Sequence, residues 1–337
     1  MRLFLGQCER LRTCERLHNL RSTGMSERRP KNLAGNSPGS LRILILGAAG
    51  QLGRELAHNF AGFGTVTAAA RATADLAAPD QLRALVRSVQ PNVLLNAAAY
   101  TAVDRAESEP ELAHAINAEA PRILAEECLR CGALFVHYST DYVFDGRKPG
   151  PWVETDAPNP LNVYGASKLA GEQAVEKIGG RVLIFRTSWV YGPYGRNFLL
   201  TMLRLARERT SLSIVDNQTG APTTSMEIAR ATRAIVSGVL ASQFGAPQEW
   251  RGLYHMTCAG AVSWFGFAQA IFARASALLS IKPPPLIPIA SENYPTPAAR
   301  PHNSVLSNNK LHARFAVHLA PWQSALEEVL QALAATS

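Results

Sequence analysis

No apolar run in the sequence is long enough to span a bilayer: the best, ILILGAAG at 43–50, dissolves into glycine and alanine within one strand length. That reads as a soluble protein. Charged residues make up only 18% and apolar residues 47% of the 337 positions, a globular balance that excludes a chain disordered throughout. Cysteine is scarce, five in all and odd in number, which excludes a disulfide framework and fits a reducing cytoplasm. Cys128 and Cys131 form CLRC, half of a zinc or redox motif. No second ligand pair stands at a matching distance, so they read as two small buried helix residues. There is no internal repeat.

Acidic residues are also few near the start. Residues 1–40 hold eight Arg or Lys against three Glu, so five of the eight net positive charges fall there and the body is nearly neutral. The basic excess therefore belongs to one segment, which argues against a nucleic-acid surface on the folded part. That segment lacks the apolar centre of a secretory signal, its acids oppose a transit peptide, and it closes in the linker-like NLAGNSPGS. A disordered leader is expected, or translation from Met25, and the fold reading begins near Leu41.

From Leu41 short β-branched runs alternate with amphipathic segments. LRILILG, TVTAAA, NVLLNAAA, ALFVHYST and RVLIFRTSWVY read as strands, the last continuous to Tyr191. Helices are expected at QLGRELAHNF, at PDQLRALVRSVQ, over ELAHAINAEAPRILAEECLRCG with a split at Pro121, and around Tyr164. Strands without polar alternation, each followed by a helix, predict an α/β fold: a Rossmann-type doubly wound parallel sheet. A dinucleotide-binding domain is expected over 41–187 and a smaller C-terminal α/β substrate-binding lobe over 188–337, with segments near 225–256 returning to the first.

GAAGQLG puts Gly47, Gly50 and Gly53 between the first strand and first helix, the context in which a glycine triad cradles a pyrophosphate. Helix–strand packing alone is the plainer account of such glycines. The second strand ends in TAAARATADL. Ala70 stands where an acid would hold the ribose of NAD, and Arg71 follows, which favours the 2′-phosphate of NADP. Asp75 suits the adenine side.

The fourth strand ends in HYSTDYVFDG, placing Ser139, Thr140 and Asp141 at the ligand edge of the sheet. VYGASKLAGE then sets Tyr164 and Lys168 one helical turn apart. A tyrosine proton donor, a lysine that lowers its pKa and a threonine hydroxyl on the carbonyl oxygen make a carbonyl reductase. Tyr-x-x-x-Lys alone is usually an exposed helix pair, and Thr140 alone could be a cap. Their joint placement in chain order favours the chemistry.

These motifs, with NAAAYTAVDRAESEPELAHAINA, PLNVYGASKLAGE, RTSWVYG, DNQTGAPT and YPTPAARPHNS, run from about Arg42 to the final helix. The chain resembles the extended short-chain dehydrogenase/reductase superfamily and, within it, the dTDP-4-dehydrorhamnose reductase family. That resemblance implies reduction of the C4 carbonyl of a dTDP-4-keto sugar by a nicotinamide cofactor; members that use either cofactor can carry an acid where Ala70 stands, so NADPH is expected to be preferred here and NADH admitted. It implies Tyr164 as donor, Lys168 as tuner and ribose anchor, and Thr140 on the carbonyl. Gly50, Gln51 and Leu52 would lie at the pyrophosphate, Asp75 and Leu76 at the adenine, and Ala97, Ala98, Ala99 and Tyr138 along the cofactor. Asp141 and Trp189 would face the sugar nucleotide, Trp189 with its flat ring, and Arg300 the diphosphate. Some members carry magnesium at a homodimer interface; Glu55 fits that place, while Met226 stands where another carboxylate is expected. Epimerases and other keto-sugar reductases share the Tyr and Lys. A non-catalytic subunit of the methionine adenosyltransferase type would be expected to lack them.

Overall fold

The computed structural model describes residues 41–335, so the expectations for residues 1–40 lie outside it. Six strands form one parallel sheet: β1 (Arg42–Leu46), β2 (Thr65–Ala69), β3 (Val93–Asn96), β4 (Leu134–Thr140), β5 (Val182–Thr187) and β6 (Gly252–His255). Their order is β6-β5-β4-β3-β1-β2. Because alternate side chains of a strand point to opposite faces, Ile43 and Ile45 serve one core and Leu44 and Leu46 the other. α1 (Gln51–Asn59) and α6 (Ser225–Leu240) cover the first face, and α2 (Pro79–Val89), α3 (Ala120–Cys131) and α4 (Val163–Ile178) the second. Chain order reverses between β1 and β3, so the loops after these two strands frame the crevice where such sheets bind ligands.

A third apolar cluster gathers α5 (Phe198–Glu208), α7 (Trp264–Leu278) and α8 (Trp322–Ala334) around Tyr191, Phe267 and Leu326. Within the proline-rich 281–301 stretch, Leu286–Ile289 pairs in parallel with Leu212–Val215. Among the described residues no helix is long and apolar enough to cross a membrane. Cys128 is buried and Cys131 half-buried, both as free thiols.

Two local expectations are corrected. The fifth strand does not run to Tyr191: Trp189 takes φ of +47°, which ends β5 at Thr187 and starts a separate two-residue strand at Val190. The helix expected to split at Pro121 stays helical. Residues Pro110–His114 lead into a π-turn at Ala115–Glu119, and Pro121 sits in the first turn of α3. Proline has no N–H to give the preceding turn, and the wider turn absorbs that loss without a break.

Candidate active site

β4 delivers Thr140 and Asp141, both buried, to the carboxyl edge of the sheet. The Thr140 hydroxyl donates to Asp141 Oδ1 at 3.0 Å and accepts from the Tyr142 N–H at 3.1 Å, capping the short turn Asp141–Val143. Asp141 Oδ2 accepts from the Ser188 hydroxyl at 2.8 Å, and Ser304 supplies another hydrogen bond. Burial nonetheless pushes Asp141 up to about 6.

α4 begins at Asn162, whose Oδ1 accepts from the Gly165 N–H at 2.7 Å while its Nδ2 donates to the Ala299 carbonyl at 2.7 Å. One cap thus fixes the helix start and the segment bearing Arg300. Tyr164 lies in the first turn, hydrogen-bonded to Thr140, with the Tyr142 ring edge-on at 5.8 Å between centroids. Lys168, a turn later, is buried and donates to the Tyr138 carbonyl at 2.7 Å. Thr140, Asp141, Tyr164 and Lys168 are therefore brought together.

Their electrostatics differ from the expectation. Burial, helped by the negative Asp141, pushes Tyr164 up to about 12, opposed by the Thr140 hydrogen bond. Burial also depresses Lys168 to about 8, against the pull of Glu172. The net shift of Tyr164 is upward and is set by burial. The Lys168 head is engaged by the Tyr138 carbonyl, and desolvation weakens its own charge.

At the crevice, Gly47 has φ of +77°, and a Cβ there would lie 2.8 Å from the Ala98 nitrogen and 2.9 Å from the Ala97 carbonyl carbon. Only glycine lets the first turn press against the loop carrying Ala97, Ala98 and Ala99. α1 starts at Gly50 with no side-chain cap and no acid in its first turn, leaving the amides of Gln51, Leu52 and Gly53 to face an anion. Gln51 also accepts from Asn197 Nδ2 at 2.8 Å, tying the turn to the start of α5. The Leu52 side chain points into the core. At the end of β2, Arg71 is exposed and 3.9 Å from Asp75, whose carboxylate caps the Ala77 N–H at 3.0 Å; Leu76 is buried. No acid stands at Ala70.

Other expected residues sit differently. The Tyr138 ring lies in the core on the α6 side, its hydroxyl 2.9 Å from Thr232 Oγ1, so toward the site it offers its carbonyl. Arg300 is held by Asp104 at 2.9 Å and by Tyr142, reaching Tyr164 through that ring. One face of Trp189 is stacked on Trp264, centroids 3.4 Å apart and planes 5° off parallel, and the indole also packs against Gly220 beside Ser304.

A family model described as "RmlD substrate binding domain" matches residues 41–335. A dTDP-4-dehydrorhamnose reductase from Burkholderia thailandensis is 49% identical over 290 residues, covering 85% of this chain and 97% of its own. The chain belongs to the dTDP-4-dehydrorhamnose reductase family. Two solved members agree in shape. The Clostridium acetobutylicum protein has a TM-score of 0.80 at 36% identity, covering 87% of this chain and 99% of its own. The Bacillus anthracis reductase, solved in complex with NADP, has a TM-score of 0.77 at 35% identity, covering 86% and 98%.

The magnesium position expected around Glu55 gathers few ligands in this chain. Burial raises the Glu55 pKa, with His58 and Arg230 pulling against it. Met226 brings no carboxylate, and the Arg230 guanidinium bridges Glu227, at 3.1 Å, and Glu328. A fixed cation already stands among these acids.

The sequence reading missed Asn117, which lies in the π-turn. Its Oδ1 accepts from the Tyr100 N–H at 2.9 Å, and its Nδ2 donates to the Tyr100 carbonyl and to Ser167 Oγ, each at 3.0 Å. It clips the loop after Ala99 to α4 between Tyr164 and Lys168. The only signal in the sequence was Pro121, four residues on.

Proposed function

We propose that this protein reduces the C4 carbonyl of dTDP-4-dehydro-L-rhamnose to give dTDP-L-rhamnose, with NADPH as the preferred donor. The observation that carries the reading is the convergence of buried Thr140, half-buried Tyr164 and buried Lys168 at the carboxyl edge of the sheet, in a chain of this reductase family. When bound, NADPH supplies the hydride. The residues that would hold it are Gly47, Gly50, Gln51, Leu52 and Gly53 at the pyrophosphate, with Ala97, Ala98 and Ala99 alongside. Arg71, with no acid at Ala70, suits a 2′-phosphate.

Tyr164 keeps its proton at neutral pH because burial holds it near 12. It can therefore give that proton to an alkoxide forming at C4, a stronger base than a phenolate. Thr140 is hydrogen-bonded to the phenol, and its one proton, turned away from Asp141 Oδ1, would donate to the same oxygen as it gains charge. Asp141, Trp189 and Arg300 are assigned to the sugar nucleotide, Arg300 from beside Tyr142. A homodimer and use of NADH belong to the same reading. The decisive assay offers the purified protein dTDP-4-dehydrorhamnose with NADPH and follows cofactor oxidation. Tyr164→Phe is expected to lower kcat by about 10³-fold, the scale of a lost general acid. A wild type that oxidises neither cofactor, or a variant as fast as the wild type, would overturn the assignment.

A further inference from the structure

Behind Lys168 lies a buried imidazole with no part in the reduction described above. His137, on β4, is fully buried; its Nδ1 is 3.2 Å from Asn96 Nδ2 and its Nε2 is 3.3 Å from Lys168 Nζ. The direction of the first contact is fixed from outside. Asn96 Oδ1 accepts the Ala98 N–H at 3.3 Å, which leaves the amide nitrogen facing His137. An amide nitrogen only donates, so Nδ1 must carry the lone pair, and the one proton of a neutral imidazole sits on Nε2. That N–H points at Nζ. It makes a hydrogen bond with a neutral amine and a donor-to-donor clash with an ammonium.

We propose that His137, locked in the Nε2–H tautomer by Asn96, is a positioning residue that presents a donor to Lys168 Nζ and so favours the neutral amine of that lysine. The proposal rests on the reductase reading above, in which Lys168 stands one helical turn behind the proton donor Tyr164. The other charged or titratable groups around the lysine are Glu172 on its own helix, which favours the ammonium, and Arg186 on β5, which holds Glu172 at 2.9 Å. Tyr164 lies a turn before it, with Asp141 beyond. Burial depresses His137 well below the ordinary histidine range, the positive Lys168 adding to the effect, so the ring stays neutral and keeps its single proton.

The test is NMR on the free full-length protein, which needs no substrate. With ¹⁵N-labelled histidine, assigned through His137→Gln, the wild type is expected to show a protonated Nε2 and an unprotonated Nδ1. With ¹³Cε-labelled lysine, only six residues need resolving. Lys168 should titrate near 8. Asn96→Leu frees the ring to turn its lone pair toward Nζ, and the Lys168 titration should then rise by about one pH unit. The alkaline limb of kcat/KM should follow it. A wild-type His137 protonated on Nδ1 would overturn the proposal without any variant. So would an Asn96→Leu protein that folds and leaves the Lys168 titration unmoved. A wild type inactive on the keto sugar but showing both NMR signatures would count against the reductase reading alone.

Discussion

A phenol held near 12 and a lysine held near 8 describe a site at rest, with the proton stored on the group that must give it away. The reading from spacing alone found Tyr164, Lys168 and Thr140 because strand ends and helical turns leave a linear trace. It missed His137, Asn117 and Tyr142, whose partners are distant in sequence or belong to loops. A satisfied buried polar group has no period to betray it. The proposed cofactor preference turns on one side chain. Arg71 is exposed and only 3.9 Å from Asp75, so it is free to turn toward a phosphate. Arg71→Ala is expected to raise the KM for NADPH about tenfold, the scale of one charge-assisted hydrogen bond, and to leave the KM for NADH nearly unchanged. Equal rises in steady-state kinetics with the two cofactors would remove the phosphate role.

At the scale of elements, the π-turn before α3 works as a joint. It presses the Asn117 carbonyl onto α4, where a Cβ at Gly171 would come within 2.1 Å of that oxygen. Gly171→Ala must therefore push α4 off the turn. A loss of about 2 kcal/mol in urea denaturation is expected, with a fall in kcat as Asn117 loses Ser167. An unchanged midpoint would show that the joint gives freely. The strands of the main sheet were legible because fully apolar runs between helices have few other homes. The break at Trp189 was not. A left-handed tryptophan is costly by itself and is held there by Trp264, 75 residues further along the chain. The π-turn was likewise only half visible, since Pro121 announces a disturbance and packing decides its form.

For the molecule as a whole, the alternation of strands and helices foretold the doubly wound sheet, while its exact edge depended on β6, a short run that joins β5 from far along the chain. Buried histidines make the fold sensitive to acid. Burial and the neighbouring Arg186 depress His255 to about 3, while its ring lies 3.2 Å from the Trp152 carbonyl at Nδ1. The unfolded chain takes up a proton near 6.5 that the folded chain refuses, so stability falls as pH drops below 6.5 and goes on falling toward 3. His137 acts in the same direction. Asp141, raised to about 6, acts oppositely: acidification from 6 toward 4 relieves the cost of its buried charge. Two histidines against one aspartate should lower Tm between pH 7 and pH 5. His255→Asn, which keeps a donor for Trp152, should spare about 2 kcal/mol of the loss at pH 5. Parallel losses in variant and wild type in calorimetry would contradict the assignment.

The Trp189–Trp264 stack has an optical consequence. Indoles face to face at 3.4 Å couple their electronic transitions, so the pair should give a near-ultraviolet circular dichroism couplet that isolated tryptophans lack. Trp189 packs on Gly220, Gly220 lies by Ser304, and Ser304 bonds Asp141, so a nucleotide sugar settling there would disturb the coupling. With the sugar nucleotide placed as proposed, the protein would carry an unlabelled spectroscopic reporter of its occupancy, one that Trp264→Phe should silence while Tyr164 remains in place.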